Sequence, residues 1–140
     1  MDDPSMILIA DDEESVRGFL KEILMDAGYR VTTASDGREA LDLLGRQRFD
    51  LVISDIRMPG LDGMALLQEI RSRGLETEVM IITSHSTINT VMEAVQSQAY
   101  FLRKPFEGIE AILQMVQRAL KKQQMARMVQ GMKENRKRNA

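Results

Sequence analysis

Asp11 and Asp12, Asp55, Thr83 and Ser84, and Lys104 stand at or just beyond the ends of short apolar runs in this 140-residue chain. Brought to one place, they would make a particular kind of site. Carboxylates crowded together repel one another unless a cation or a proton intervenes. Oxygen donors of this kind suit Mg2+, which engages one or two carboxylates, keeps several waters and leaves room for a phosphoryl oxygen. A lysine adds a mobile point charge for an anion, and a hydroxyl can donate one hydrogen bond to it. Together these groups could carry phosphoryl transfer to a carboxylate nucleophile.

The elements that must position them alternate between strand and helix. Met6 to Ala10 is an apolar run followed by Asp11-Asp12-Glu13-Glu14. Val16, Phe19, Leu20, Ile23 and Leu24 then recur at helical spacing, with Gly28 at the expected helix end. Tyr29 to Ala34 reads as a second strand, and Asp36-Gly37 opens a second helix with Ala40, Leu41, Leu43 and Leu44. Phe49 to Ser54 holds the third strand and Met64 to Arg73 the third helix. Val79 to Ile82 is a fourth strand, and Ser86 or Thr87 could cap a helix through Val91, Met92 and Val95. Tyr100-Phe101-Leu102 is a short fifth strand, and Ile109 to Leu120 a fifth helix.

Five such pairs predict an α/β fold: a doubly wound, five-stranded parallel sheet covered on both faces, flavodoxin-like with strand order 2-1-3-4-5. Strand two, with Arg30, Thr32 and Thr33, belongs at an edge. Ligands of such sheets bind beyond the carboxyl ends of the strands, which is where the acids, hydroxyls and lysine gather. After Asp55, the residues Pro59, Gly60 and Gly63 allow a sharp turn, and Asp62 stands where it can cap the next helix.

The chain has no cysteine, which removes disulfides, thiolate metal sites and cysteine nucleophiles. No run is long enough to span a bilayer and nothing reads as a signal peptide, so a cytoplasmic protein is expected. The net charge of −2 divides unevenly: residues 1–120 are acidic, whereas residues 121–140 carry seven Lys/Arg against one Glu.

The blocks "ILIADDEESVR", "VTTASDGREALDLL", "DLVISDIRMPGLDG", "VMIITSHS" and "FLRKPF" occur in order from about Met6 to about Arg118. In this the sequence resembles the receiver domain of two-component response regulators. The resemblance implies that Asp55 accepts a phosphoryl group from a sensor histidine kinase or a histidine phosphotransfer protein. It implies that Asp11, Asp12, Asp55 and the backbone carbonyl of Arg57 hold Mg2+ (or Mn2+), and that Lys104 and Thr83 bind phosphoryl oxygens. Thr83 and an aromatic would form the switch, and the Lys104–Pro105 bond would be cis. The chain has one residue fewer between Thr83 and Lys104 than is usual, near Gln98-Ala99-Tyr100, where glycine is also common. Counting back from the lysine makes Phe101 the switch aromatic; counting forward from the helix favours Tyr100. The reading prefers Phe101. Arg57, two residues past Asp55, is a second departure: its long basic side chain could hinder attacking water or hold the acids together.

Asp11-Asp12 could merely cap a helix, but together with Asp55 and Lys104 they fit a site better. His85, without a second histidine or a cysteine, is expected in a surface loop. An aspartyl-phosphate phosphatase commonly has a second acid two residues after its nucleophile, where this chain has Arg57. A degenerate receiver that only binds a partner is the other alternative. The domain itself is not expected to be an enzyme beyond catalysing its own phosphorylation and dephosphorylation.

The receiver is assigned to residues 1–120. Residues 121–140 form a basic, Met-rich helical extension or a linker, in which Met125, Met128, Val129 and Met132 make a stripe nearly opposite that of helix five. Such a stripe would pair with another chain, including a homodimer through helix five and its extension, or with an output domain; methionines make an adaptable contact surface. Without a helix-turn-helix or aromatic platform, direct nucleic-acid binding is not expected.

Overall fold

The computed structural model describes residues 4–84, 87–104 and 108–139. Five parallel strands lie in the order β2-β1-β3-β4-β5: β1 (Met6–Ala10), β2 (Arg30–Ala34), β3 (Leu51–Asp55), β4 (Glu78–Thr83) and β5 (Tyr100–Arg103). The connecting helices are α1 (Glu14–Asp26), α2 (Gly37–Arg46), α3 (Gly63–Ser72), α4 (Ile88–Gln96) and α5 (Ile109–Asn139).

Successive strand residues face opposite sides of the sheet. Leu8, Ala10, Val52, Val79 and Ile81 pack in one buried cluster with Ala40 and Leu44 of α2, Leu66, Leu67 and Ile70 of α3, and Ala94 of α4. Ile7, Ile9, Leu51, Ile53, Met80 and Ile82 pack in the other, with Leu20 and Leu24 of α1 and Ile112, Val116 and Leu120 of α5. β3, covered on both faces, is buried throughout; β2, at the edge, is exposed at Arg30 and only partly buried until Ala34.

The starts of α2, α3 and α4 are set by side-chain caps. The Asp36 carboxylate accepts the Glu39 amide, and Asp62 accepts the Ala65 amide, each at 2.8 Å. At α4, Thr87 and Thr90 cap one another: each side chain accepts the other's backbone N–H. Ser86, the other expected cap, and His85 lie outside the described residues.

Helix α5 continues well past the apolar residues that cover the sheet. Ile109, the first residue of the helix, is 48% exposed. At the other end the helix runs past Leu120 without a break to Asn139. Its next turns stay against the domain. Gln123 is buried and its amide donates to the Glu76 carbonyl at 3.2 Å, while Arg127 lies 3.4 Å from Asp50 and Lys122 3.8 Å from Glu78. Met125, Met128, Val129 and Met132 are exposed.

Candidate functional site

The parallel register delivers the chemistry-bearing residues to one rim. Ala10 pairs with Ser54, so Asp11 and Asp55 leave neighbouring strands at one level; Asp55 pairs with Ile82, and Thr83 with Arg103, which puts Lys104 beside them. Lys104 N–H donates to the Thr83 carbonyl at 2.9 Å, fastening the end of β5 to that of β4.

The side chains meet there. Lys104 Nζ donates to Asp11 Oδ2 at 2.9 Å and to Asp55 Oδ2 at 3.0 Å, and lies 4.0 Å from Glu13 Oε1. Asp11 and Asp55 are buried, whereas Asp12 and Glu13 face solvent. The second oxygens of the buried pair are also used: Asp11 Oδ1 accepts the Glu13 amide at 2.9 Å, and Asp55 Oδ1 accepts the Arg57 amide at 3.2 Å. Arg17 of α1 donates to the Asp11 carbonyl at 2.8 Å. Thr83 is buried at the same rim.

Burial pushes the Asp11 carboxyl above the ordinary carboxylate value, and the Glu13 amide and Lys104 oppose that rise without cancelling it. For Lys104, burial favours the neutral amine, but the hydrogen bonds and charges of Asp11 and Asp55 outweigh it and leave the group above its ordinary value of 10.5. The lysine is therefore the charged counterion of two buried acids.

The loop after Asp55 is shaped by one close approach. Gly63 N–H donates to the Ile56 carbonyl at 2.9 Å, and a Cβ on Gly63 would sit 2.1 Å from the Asp55 carbonyl oxygen. Only glycine lets α3 begin directly against the backbone of the acid. Beside the acids, Asp12, Ile56, Arg57, Met58, Pro59 and Asp62 line an open cavity of about 530 Å³.

The carboxylate oxygens of Asp11, Asp12, Glu13 and Asp55 fall within 4.8 Å of one another. An all-oxygen donor set on two buried and two exposed acids fits a hard divalent cation. Sequence reasoning placed three of the four; Glu13 was visible only as part of an acidic run, and Arg17 gave no signal because an α1 residue finds a backbone carbonyl only in the folded chain.

The family model of the response regulator receiver domain matches residues 7–117. This chain belongs to the response regulator receiver family. The receiver is 40% identical over 129 residues to the DNA-binding transcriptional regulator NtrC of Escherichia coli K12, covering 89% of this chain and 27% of that protein. It is 40% identical over 120 residues to the regulatory protein AtoC of the same organism, covering 85% of this chain and 26% of AtoC. The chain thus spans about a quarter of these relatives. Among solved structures, the chemotaxis regulator CheY4 of Vibrio cholerae superposes with a TM-score of 0.77 at 35% identity, covering 84% of this receiver and 99% of CheY4. NtrX of Brucella abortus superposes with a TM-score of 0.83 at 35% identity, covering 91% of this receiver and 29% of NtrX. This is a receiver domain of two-component signal transduction, and its flavodoxin-like sheet order is the expected one.

The two candidate switch aromatics fall on opposite faces. Phe101 packs against the cluster that contains Ala94 of α4. Tyr100 packs with the α5 cluster, with Lys122 Nζ 5.9 Å from its ring centre. Both are half-buried. Pro105, and with it the expected cis bond to Lys104, lies outside the described residues. Among those described, no helix is long and apolar enough to cross a membrane.

Proposed function

We propose that this receiver is phosphorylated on Asp55 by a sensor histidine kinase or a histidine phosphotransfer protein, and that the modification switches its surface to control an output domain or partner. The observation that carries this reading is the bridging amine. Lys104 Nζ touches the carboxylates of Asp11 and Asp55 within 3.0 Å each, so acceptor, companion acid and anion-binding cation share one point at the rim.

An Asp55 carboxylate oxygen attacks the phosphorus of the donor, the phosphorus–nitrogen bond breaks, and its electron pair leaves on the imidazole. Asp11, Asp12, Asp55 and the Arg57 carbonyl would hold Mg2+ (or Mn2+), with Glu13 an added carboxylate at the cluster. The bound cation would supply positive charge for the transferred phosphoryl oxygens. Lys104 moves from pairing Asp55 to pairing a phosphoryl oxygen, and the Thr83 hydroxyl donates to another. Phosphorylation adds about −1.5 to −2 charge and three acceptor oxygens. That shifts the balance of the loops after β3 and β4, with Phe101, on the α4 side, following Thr83. A receiver that only docks a partner would not require this convergence of acceptor, acids and lysine.

Millimolar Mg2+ should raise the melting temperature, since it binds the folded acid cluster and not the unfolded chain. Asp12→Asn should remove most of that rise, whereas an equal rise in wild type and variant would exclude Asp12 as a ligand. Binding assays at increasing Mg2+ provide the direct comparison.

The exposed stripe of Met125, Met128, Val129 and Met132, held in fixed phase by Gln123 and Arg127, supports self-association through helix α5 and its extension. Sedimentation of the full chain and of a version ending at Leu120 is expected to show association lost in the shorter one; identical behaviour would remove that part of the proposal.

A further inference from the structure

Helix α3 is seated against the acceptor at its start by Gly63, and it grips another part of the molecule at its end. Arg71, in its last turn, directs its guanidinium at three backbone carbonyls: Nε to Ser97 at 2.9 Å, Nη1 to Thr77 at 3.1 Å and Nη2 to Gln98 at 3.3 Å. A planar fork spreads its donors over three nitrogens and can reach separate carbonyls, whereas an ammonium radiates its three donors from one nitrogen. Gln68, one turn earlier, adds a bond to Ser97 Oγ at 3.0 Å.

The corner being gripped is unusual. Gln98 has φ of +59°, and among the described residues it is the non-glycine residue in the left-handed region. A side chain there carries a steric cost that glycine avoids. The carbonyls of Ser97 and Gln98 also lie at the C-terminal end of α4, where helical acceptors lack intrahelical donors and attract positive charge. Arg71 supplies both missing terms.

The other end of α4 has no such tie in the bonds described. Thr87 and Thr90 cap it from within the same segment. Ile88 is 79% exposed and Met92 53%, and Ala94 is the buried residue of the helix.

We infer that Arg71 is a positioning residue: it pins the strained α4–β5 corner to α3, so that this corner keeps its place when the acceptor changes state. The pinning stands on the three carbonyl bonds; its persistence on activation rests on the phosphorylation reading above.

Hydrogen exchange on the full chain tests it. The amides of Ser97, Gln98 and Ala99 donate to Glu93, Val95 and Ala94 carbonyls, so their protection reports the corner. In Arg71→Ala these amides should exchange about tenfold faster while those of β1 and β3 keep their rates. Arg71→Lys should behave likewise, and adding Gln98→Gly to Arg71→Ala should restore much of the protection. Unchanged exchange at the corner, or acceleration spread evenly over the domain, overturns the inference. With beryllofluoride and Mg2+ standing in for the phosphoryl group, the wild-type change should spare the corner and spread to it only in Arg71→Ala. An equally large wild-type change at the corner contradicts the pin. A complete absence of change would count against the phosphorylation reading, and the pin would still be decided by the exchange rates of the variants.

Discussion

Asp55→Asn is expected to bring phosphoryl incorporation from acetyl phosphate down to background while leaving the fold intact. The amide keeps the carboxylate's shape, so its oxygen can still accept the Arg57 amide that Asp55 Oδ1 accepts at 3.2 Å. What it removes is the anionic oxygen that attacks phosphorus. Asp11 is not expected to take over: it is fully buried, whereas Asp55 keeps some exposure at the rim. Radiolabel incorporation at millimolar Mg2+, with circular dichroism as the check on folding, makes the comparison. Labelling of a folded Asn variant at the wild-type level would move the acceptor elsewhere.

Lys104→Ala should produce the second large effect, this time on stability. The amine is the counterion of two buried acids, and removing one member of a buried ion pair leaves uncompensated charge, at a cost of about 3 kcal/mol or more. Denaturant titration in a chelator should show that loss. Millimolar Mg2+ should return a larger part of it in the variant than it adds to the wild type, because the cation takes over charge compensation of the same oxygens. An equal Mg2+ increment in both proteins would mean that lysine and cation do not share the acids. The pH dependence has a definite sign. The Lys104 pKa is raised above 10.5 in the folded chain, so on the alkaline side the wild-type advantage is lost as pH climbs through the raised pKa; on the acid side it also falls, as Asp11, whose pKa is raised, takes up a proton.

Much of this architecture was legible because parallel strands convert sequence order into position. Once Met6–Ala10, Phe49–Ser54 and Val79–Ile82 read as strands covered on two sides, with Tyr100–Leu102 a fifth, their carboxyl ends had to share a rim, and Asp11, Asp55, Thr83 and Lys104 followed. Arg30, Thr32 and Thr33 marked β2 as the edge for the same reason: a strand covered less completely can keep polar residues. Several illegible parts concern polar groups whose partner is backbone. Arg71, Gln123 and Arg17 look like solvated helix surface in the sequence, yet each donates to a carbonyl brought near by tertiary packing. Gly63 read as turn punctuation, and its larger role, letting α3 touch the Asp55 carbonyl, needs the backbone of both segments. The apolar pattern of helix five stops at Leu120, but the helix itself continues, since Lys122, Gln123 and Arg127 replace apolar burial with polar contacts to Glu78, Glu76 and Asp50.

The most direct test of the central claim is chemical mapping of the acceptor. The protein is incubated with acetyl phosphate and Mg2+, reduced with borohydride so that an aspartyl phosphate becomes homoserine, digested, and sequenced by mass spectrometry. Homoserine at position 55 alone, dependent on Mg2+ and strongly reduced by Asp12→Asn, is the result expected. Homoserine at Asp11, Asp12 or an acid away from this rim, or none under conditions that modify another receiver, would contradict the account.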